Sequence, residues 1–233
     1  ETVHKTIGIL GGMSPESTVA YYEYITRTYT ERFGDYGYPE ILIYSVSFQP
    51  YVDWPREDRW DLVAEGLSEA ARTLERAGAD VILIATNTMH IVFDDVAQAV
   101  DVPMLSLLDA VSARITEHGI GTVGLLGTAF TMEKPFYRQG LAAKGIDVLV
   151  PGPEDRKLVN DVIYEELVAG KIRAASREAF VRIIHDLADQ GVEGVVLGCT
   201  EIPLLVSEED VDLPLFDTTV IHAAAALRYA VGR

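Results

Sequence analysis

The stretch GVEGVVLGCTEIP at residues 191–203 decides how the chain is read, because GADVILIATNTMH at residues 78–90 has the same shape. In each, an apolar run of strand length is followed at once by small polar residues. The later copy holds the only cysteine, Cys199, and Thr86 stands at the matching place in the earlier one. A second pair of echoes precedes them: TIGILGG at 6–12 and TVGLLGT at 122–128. Gly11 lies 75 residues before Thr86, and Gly127 lies 72 before Cys199. Two landmarks repeated at matched spacing describe a duplicated α/β half. Ligands of open α/β sheets bind beyond the carboxyl ends of the strands, where Thr86 and Cys199 both fall. The expectation is that they face each other across one cleft.

Around these landmarks, apolar runs alternate with helical periods. Strands are expected at Thr6–Leu10, Ile41–Val46, Val81–Ala85, Met104–Leu105, Thr122–Leu126, Val148–Val150, Val195–Leu197 and Leu215–Phe216. Amphipathic stretches such as Trp60–Ala77 and Arg177–Gln190 lie between them. Strands separated by helices imply βαβ units. The fold class is therefore α/β: two similar Rossmann-like domains with mostly parallel sheets, pseudo-twofold related, with the active site in the cleft between them. Leu215–Phe216 and the helix after it return to the first half. The expected boundaries are 1–105 plus 216–233 for the first domain and 106–215 for the second.

Composition narrows the function. Of 233 residues, 48% are hydrophobic, enough for a large core. No apolar run reaches the roughly 18 residues of a membrane span. The opening Glu1-Thr2-Val3-His4-Lys5 lacks the layout of a signal peptide. A single cysteine excludes an internal disulfide and a cysteine-rich metal site, and a free thiol fits a reducing cytoplasm. The formal charge of −17 repels nucleic acid and anionic membrane surfaces. His4, His90, His118, His185 and His222 show no metal-ligand spacing, so no metal is expected.

Three motifs carry chemistry. In GILGGMSPESTVAYY (8–22), Gly8, Gly11 and Gly12 end a strand and open a turn, and Ser14 and Pro15 start a helix. Its free N–H groups suit an anion such as a carboxylate. The stretch is neither a dinucleotide fingerprint nor a phosphate loop. Next, Thr86, Asn87 and Thr88 in one half, and Cys199, Thr200 and Glu201 in the other, present hydroxyl, amide, thiol and carboxyl groups. A helix beginning at Cys199 would lower its pKa and favour thiolate, with Pro203 in the first turn. Finally, Thr128 and Thr131 in LLGTAFTMEKPFYRQGL (125–141) complete the carboxylate cradle.

Taken together, GILGGMSPEST, TNTMH, LLGT…TM…FY and GCTEI resemble the aspartate/glutamate racemase family in order and spacing, over essentially the whole chain. The resemblance implies two α/β domains with the active site between them, commonly in dimers, and a reaction without pyridoxal phosphate, metal or nucleotide. It implies that two residues on opposite faces of Cα exchange its proton, usually both cysteines. Here Cys199 falls on the second position and Thr86 on the first, as in a branch specific for L-aspartate and L-glutamate. The catalytic pair implied is Cys199, taking the proton of the L-enantiomer, and Thr86 on the other face. Met13, Ser14, Gln49, Asn87, Thr88, Thr128, Thr131, Thr200 and Glu201 are expected to bind the substrate, an acidic amino acid. Val168 sits where some members carry lysine, leaving Arg56, Arg59 and Lys171 as candidate cations for the distal carboxylate and Gln49 as a polar alternative. A Tyr-rich helix at Val19–Tyr29 suits a homodimer. A single-cysteine isomerase or decarboxylase, or a non-catalytic amino-acid-binding protein, is the alternative reading.

Overall fold

The computed structural model describes residues 4–232. Glu1, Thr2 and Val3, on which the reading of the N-terminus partly rests, lie outside the described residues. Contact density divides the chain into two units, the first running up to Ala110 and resuming at Thr219, the second spanning Val111–Thr218.

The first unit begins with β1 (Ile7–Gly11) and α1 (Pro15–Phe33), then β2 (Ile41–Ser45), α2 (Phe48–Arg56) and α3 (Trp60–Arg76). It continues with β3 (Val81–Ile84), α4 (Phe93–Ala97) and β4 (Met104–Leu105). All pairings are parallel, in the order β2-β1-β3-β4. A parallel sheet needs crossover helices, and these cover both faces. Side chains accordingly alternate between two apolar clusters. Ile7, Ile9, Val81 and Leu83 point into one, with Tyr21 and Ile25. Leu10, Ile82 and Ile84 point into the other, with Val63, Leu67 and Leu74 of α3. Each such Ile or Leu contributes about 1.5–3 kcal/mol by leaving water.

After α5 (Leu107–Glu117), within which the unit boundary falls, the second unit repeats the plan. It contains β5 (Thr122–Leu126), α6 (Ala129–Glu133), α7 (Pro135–Ala142), β6 (Asp147–Leu149), α8 (Pro153–Val162), α9 (Ala174–Ala188), β7 (Gly194–Leu197) and β8 (Leu215–Asp217). The last helix, α10 (Thr218–Val231), returns to the first unit. The second sheet runs β6-β5-β7-β8, again all parallel, so corresponding strands take corresponding places. Leu126, Val195 and Leu197 meet Ile183, Ile184 and Leu187 of α9 on one face.

The duplication extends to polar anchors. Asp80 accepts from the Thr6 amide (2.7 Å), and the Asp80 amide donates to the Thr6 carbonyl (2.9 Å). In the second unit, Glu193 accepts from the Thr122 amide (3.1 Å) and donates its own amide to the Thr122 carbonyl (2.9 Å). One acid thus ties the start of the third strand to the start of the first in each sheet. Several strand ends differ by one residue from the expected bounds, and two of the shifts have a clear local cause. The first strand starts at Ile7 rather than Thr6, whose amide is taken by a side chain. The sixth starts at Asp147, whose amide donates to the Gly121 carbonyl (2.9 Å).

Local chemistry sets the longest helix. Ser14 caps α1 and Pro15 occupies its first turn, while Gly34 closes it in the left-handed conformation (φ 75°) with its N–H on the Thr30 carbonyl. Between β1 and that cap, Gly12 has φ 90°, and a Cβ there would lie 2.7 Å from the Val46 carbonyl oxygen. Only glycine makes that turn without strain.

Candidate active site

Each sheet ends its third strand in the same way. The Ala85 amide donates to the Leu10 carbonyl (2.9 Å), and the Gly198 amide donates to the Leu126 carbonyl (2.7 Å). One residue later the ladders stop, and Thr86 and Cys199 emerge there, each half-buried. They occupy the same station in two copies of one topology.

In the first unit the backbone at that station is held from three sides. The Thr86 amide donates to the Ile84 carbonyl (2.9 Å). Ser17 Oγ, from the first turn of α1, donates to the Ala85 carbonyl (2.8 Å). His90 Nδ1 lies 2.7 Å from the Thr86 carbonyl oxygen. The chain then enters a 3₁₀ turn, Thr88–Val92, with Asn87 buried and Thr88 half-buried. The Gly11–Ser14 turn lies alongside, since Leu10 pairs with Ile84 and Met13 packs in the same cluster as Met89. Thr18 Oγ1 accepts from the Gly12 amide (2.8 Å) and donates to the Ser14 carbonyl (3.1 Å). Met13, Ser14, Thr86, Asn87 and Thr88 are thereby gathered at the carboxyl end of this sheet. Gln49 is not. It is exposed on α2, and its amide donates to both carboxylate oxygens of Asp53, at 3.0 Å each. Arg59 is similarly engaged by Asp61 (2.8 Å), and Arg56 reaches Asp53 only at 4.0 Å.

In the second unit Cys199 packs on the Leu126–Leu197 cluster, and its Sγ donates to Glu201 Oε2 at 2.9 Å. This overturns the expectation of a thiolate at a helix start. Beyond Cys199 the chain makes a turn and then three 3₁₀ residues, Ile202–Leu204, with Pro203 inside, too short for an α-helical dipole. Burial pushes the thiol well above its ordinary value. The Glu201 charge and the hydrogen bond to it push further in the same direction, against the Glu201 and Thr200 backbone amides. Cys199 rests as a thiol beside the Glu201 side chain, which favours the protonated form. Thr200 and Glu201 are half-buried next to it. Thr128 caps α6, accepting from the Thr131 amide at 3.4 Å. Thr131 is enclosed (1% exposed), its hydroxyl 3.4 Å from that of Thr128 and its methyl against Gly127 and Gly198. Lys171 and Val168 are exposed beyond the π-helical turn Ile163–Leu167 that ends α8.

Two residues that hold the first station carry no signal of this role in the sequence alone: Ser17, which reads as a helix-start residue, and His90, whose spacing to the other histidines suggests no function. The four-residue spacing from Thr86 to His90 is the one available pointer. Among the described residues no group of His, Cys, Asp and Glu is arranged to hold a metal ion, and no helix is long and apolar enough to cross a membrane.

Comparison with known proteins fits this geometry. The family model described as Asp/Glu/Hydantoin racemase matches residues 10–226. A candidate Asp/Glu racemase from Yersinia pestis superposes with a TM-score of 0.93 at 46% identity, covering 97% of this chain and 99% of that one. An aspartate racemase homologue from Pyrococcus horikoshii gives a TM-score of 0.88 at 43% identity, covering 97% and 99%. The broad specificity amino-acid racemase RacX of Bacillus subtilis is 25% identical over 95% of this chain and 96% of its own. The repeated parallel sheets and the family match over nearly the whole length lead to one conclusion: the chain belongs to the Asp/Glu/hydantoin racemase family and is an isomerase of the amino-acid racemase class.

Proposed function

We propose that the protein racemises an acidic amino acid, aspartate or glutamate, by direct proton exchange at Cα. Cys199 takes the proton of the L-enantiomer, and Thr86 serves the opposite face. The observation that carries this reading is that Cys199 and Thr86 hold the same station, directly after the third strand of two sheets of identical order. The choice of the L face for Cys199 follows the family resemblance. Cleavage of the Cα–H bond leaves a carbanion beside a carboxylate, which needs a matched base and fixed donors. Cys199 removes that hydrogen as the thiolate, which forms when Glu201 is protonated or turned away. Thr86 passes a proton to the other face through a water and is replenished from solvent. Donors for the substrate carboxylates come from Ser14, Asn87, Thr88, Thr128 and Thr200 and the backbone amides at the two strand ends.

The reading is tested by Cα deuterium incorporation in heavy water, followed by proton NMR on L- and D-aspartate and L- and D-glutamate. A marked preference for the L-enantiomer as reactant is expected, and Thr86→Cys should raise the D rate. The equilibrium constant stays at one, so the preference is purely kinetic. Equal initial rates for both enantiomers, or a D rate unmoved by Thr86→Cys, would count against a one-sided site. Glu201→Gln probes the thiol separately. Without the carboxylate charge the thiolate forms more readily, so iodoacetamide should alkylate Cys199 faster at a given pH. An alkylation rate unmoved by the substitution would mean that Glu201 does not hold the thiol proton in place.

A further inference from the structure

We infer that His90 is a positioning residue for Thr86, the front member of a two-histidine clamp that sets where the Thr86 hydroxyl stands; this rests on the reading that Thr86 serves one face of Cα.

The hydrogen-bond partners determine both tautomers. The Leu107 amide donates to His90 Nε2 (3.0 Å), so that nitrogen is the acceptor. Nδ1 therefore carries the proton, and it donates to the Thr86 carbonyl at 2.7 Å. His222, on α10, is the mirror case. Its Nε2 lies 2.8 Å from the Leu105 carbonyl and must donate, so Nδ1 accepts from the Tyr21 hydroxyl at 2.6 Å. The two rings meet edge to face at 5.6 Å between centroids, and His90 also stacks on Phe93 with 4° between the planes. His90 is 6% exposed, His222 0% and Tyr21 1%.

The backbone groups either side of Ser106 are thus each held by one neutral imidazole, and the far end of one imidazole reaches Thr86. The Thr86 carbonyl lies past the end of the β-ladder, where no strand partner remains for it. With the amide on Ile84 and the carbonyl on His90, the Thr86 peptide planes cannot rotate, and the Cα–Cβ direction is set. Ser17 fixes the preceding carbonyl in the same manner. Burial obliges both ring nitrogens of His90 to find partners, and one of the two partners it finds is the carbonyl of Thr86 itself. This pattern spends a buried donor and a buried acceptor on one backbone turn, the turn from which the proposed proton donor projects.

The test separates the two faces of Cα. In heavy water, Cys199 alone can exchange the proton of an L-substrate and return deuterium to the same face. Conversion between enantiomers and exchange of the D-substrate require Thr86. His90→Phe keeps a stacking ring and removes both hydrogen bonds. It should lower kcat for D-substrate exchange and for racemisation by about 10²-fold, the cost of a misplacement near 1 Å. KM should barely move, and L-substrate exchange should continue. His90→Gln, which offers a donor and an acceptor on one amide, should restore the D rate towards wild type. Should the Phe variant not fold, His90→Asn serves instead: its amide still donates to Thr86 but falls short of Leu107, and the same skew towards the D face is expected, smaller in size. Thr86→Ala is the reference. If it skews exchange as described while His90→Phe or His90→Asn slows both faces alike or neither, the positioning role is overturned. If Thr86→Ala itself leaves D-substrate exchange intact, the assignment of Thr86 falls and takes the role of His90 with it.

Discussion

Replacing Cys199 by alanine or serine should abolish Cα exchange of the L-substrates and conversion between enantiomers, a loss of at least about 10⁴-fold, at the upper end of what one general base contributes. The argument is one of proton affinity. A free thiol has a pKa of about 8.5, and a hydroxyl lies nearer the 15.7 of water. A gap of roughly 7 units is about 10 kcal/mol at 1.36 kcal/mol per unit, and preorganised donors can return only part of it. The starting point is already demanding, because burial and Glu201 hold the Cys199 proton in place. Serine would keep the hydrogen bond to Glu201 and much of the packing while losing the acidity, which makes it the sharper of the two variants. The melting temperature should change little, since the side chain is small and half-buried. Incorporation of deuterium into an L-substrate by the serine variant at a rate within tenfold of wild type would take the sulfur out of the chemistry.

The largest stability effect should come from acid. Burial lowers the His90 pKa from 6.5 to about 4, against the opposing pull of the Thr86 and Asn87 backbone and of Asp109. It lowers that of His222 to about 3, with His90 adding to the fall and the Leu105 carbonyl opposing it. Both are folded-state values below the unfolded one. The unfolded chain therefore binds more protons as the pH drops through 6.5, and stability present above that point is lost towards pH 4 and 3. Between pH 7 and pH 5 both imidazoles remain neutral in the fold while their unfolded counterparts charge. The expected loss is about 2 kcal/mol for each, on the order of 4 kcal/mol together, and carboxylates contribute little in that window. Urea unfolding at the two pH values measures it, with the slope of the transition as a check on two-state behaviour. His90→Gln removes one titrating ring and should halve the pH dependence. A stability unchanged from pH 7 to pH 5 would mean that the two rings are not held neutral.

Much of the architecture is legible in the chain because its determinants are local or repeated. Uninterrupted apolar runs of four or five residues mark strands buried on both faces. Ser14 and Pro15 mark the start of α1 through contacts within a few residues. The near-identical spacing of two motif pairs exposes the duplication from residue order alone. The two anchoring acids, Asp80 and Glu193, are equally visible but carry no meaning by themselves, since each acts on a strand more than 70 residues away. The same holds for the histidine clamp, whose bonds join residues 17, 117 and 201 positions apart.

At the site, residue identity and residue state divide along that line. Cys199, Thr86 and their polar neighbours can be named from the sequence, because a small polar residue after a buried strand stands at a carboxyl end in any parallel sheet. Their condition cannot. Whether Cys199 is ionised depends on burial and on the direction in which Glu201 turns, two residues along. Whether Gln49 is free depends on Asp53, one helical turn away, which holds it. The order of residues thus determined the strands, their repeat and the chemical groups at their ends. Only the folded chain decided protonation, tautomer and orientation, since these depend on desolvation and on hydrogen bonds closed by groups that the linear order keeps apart.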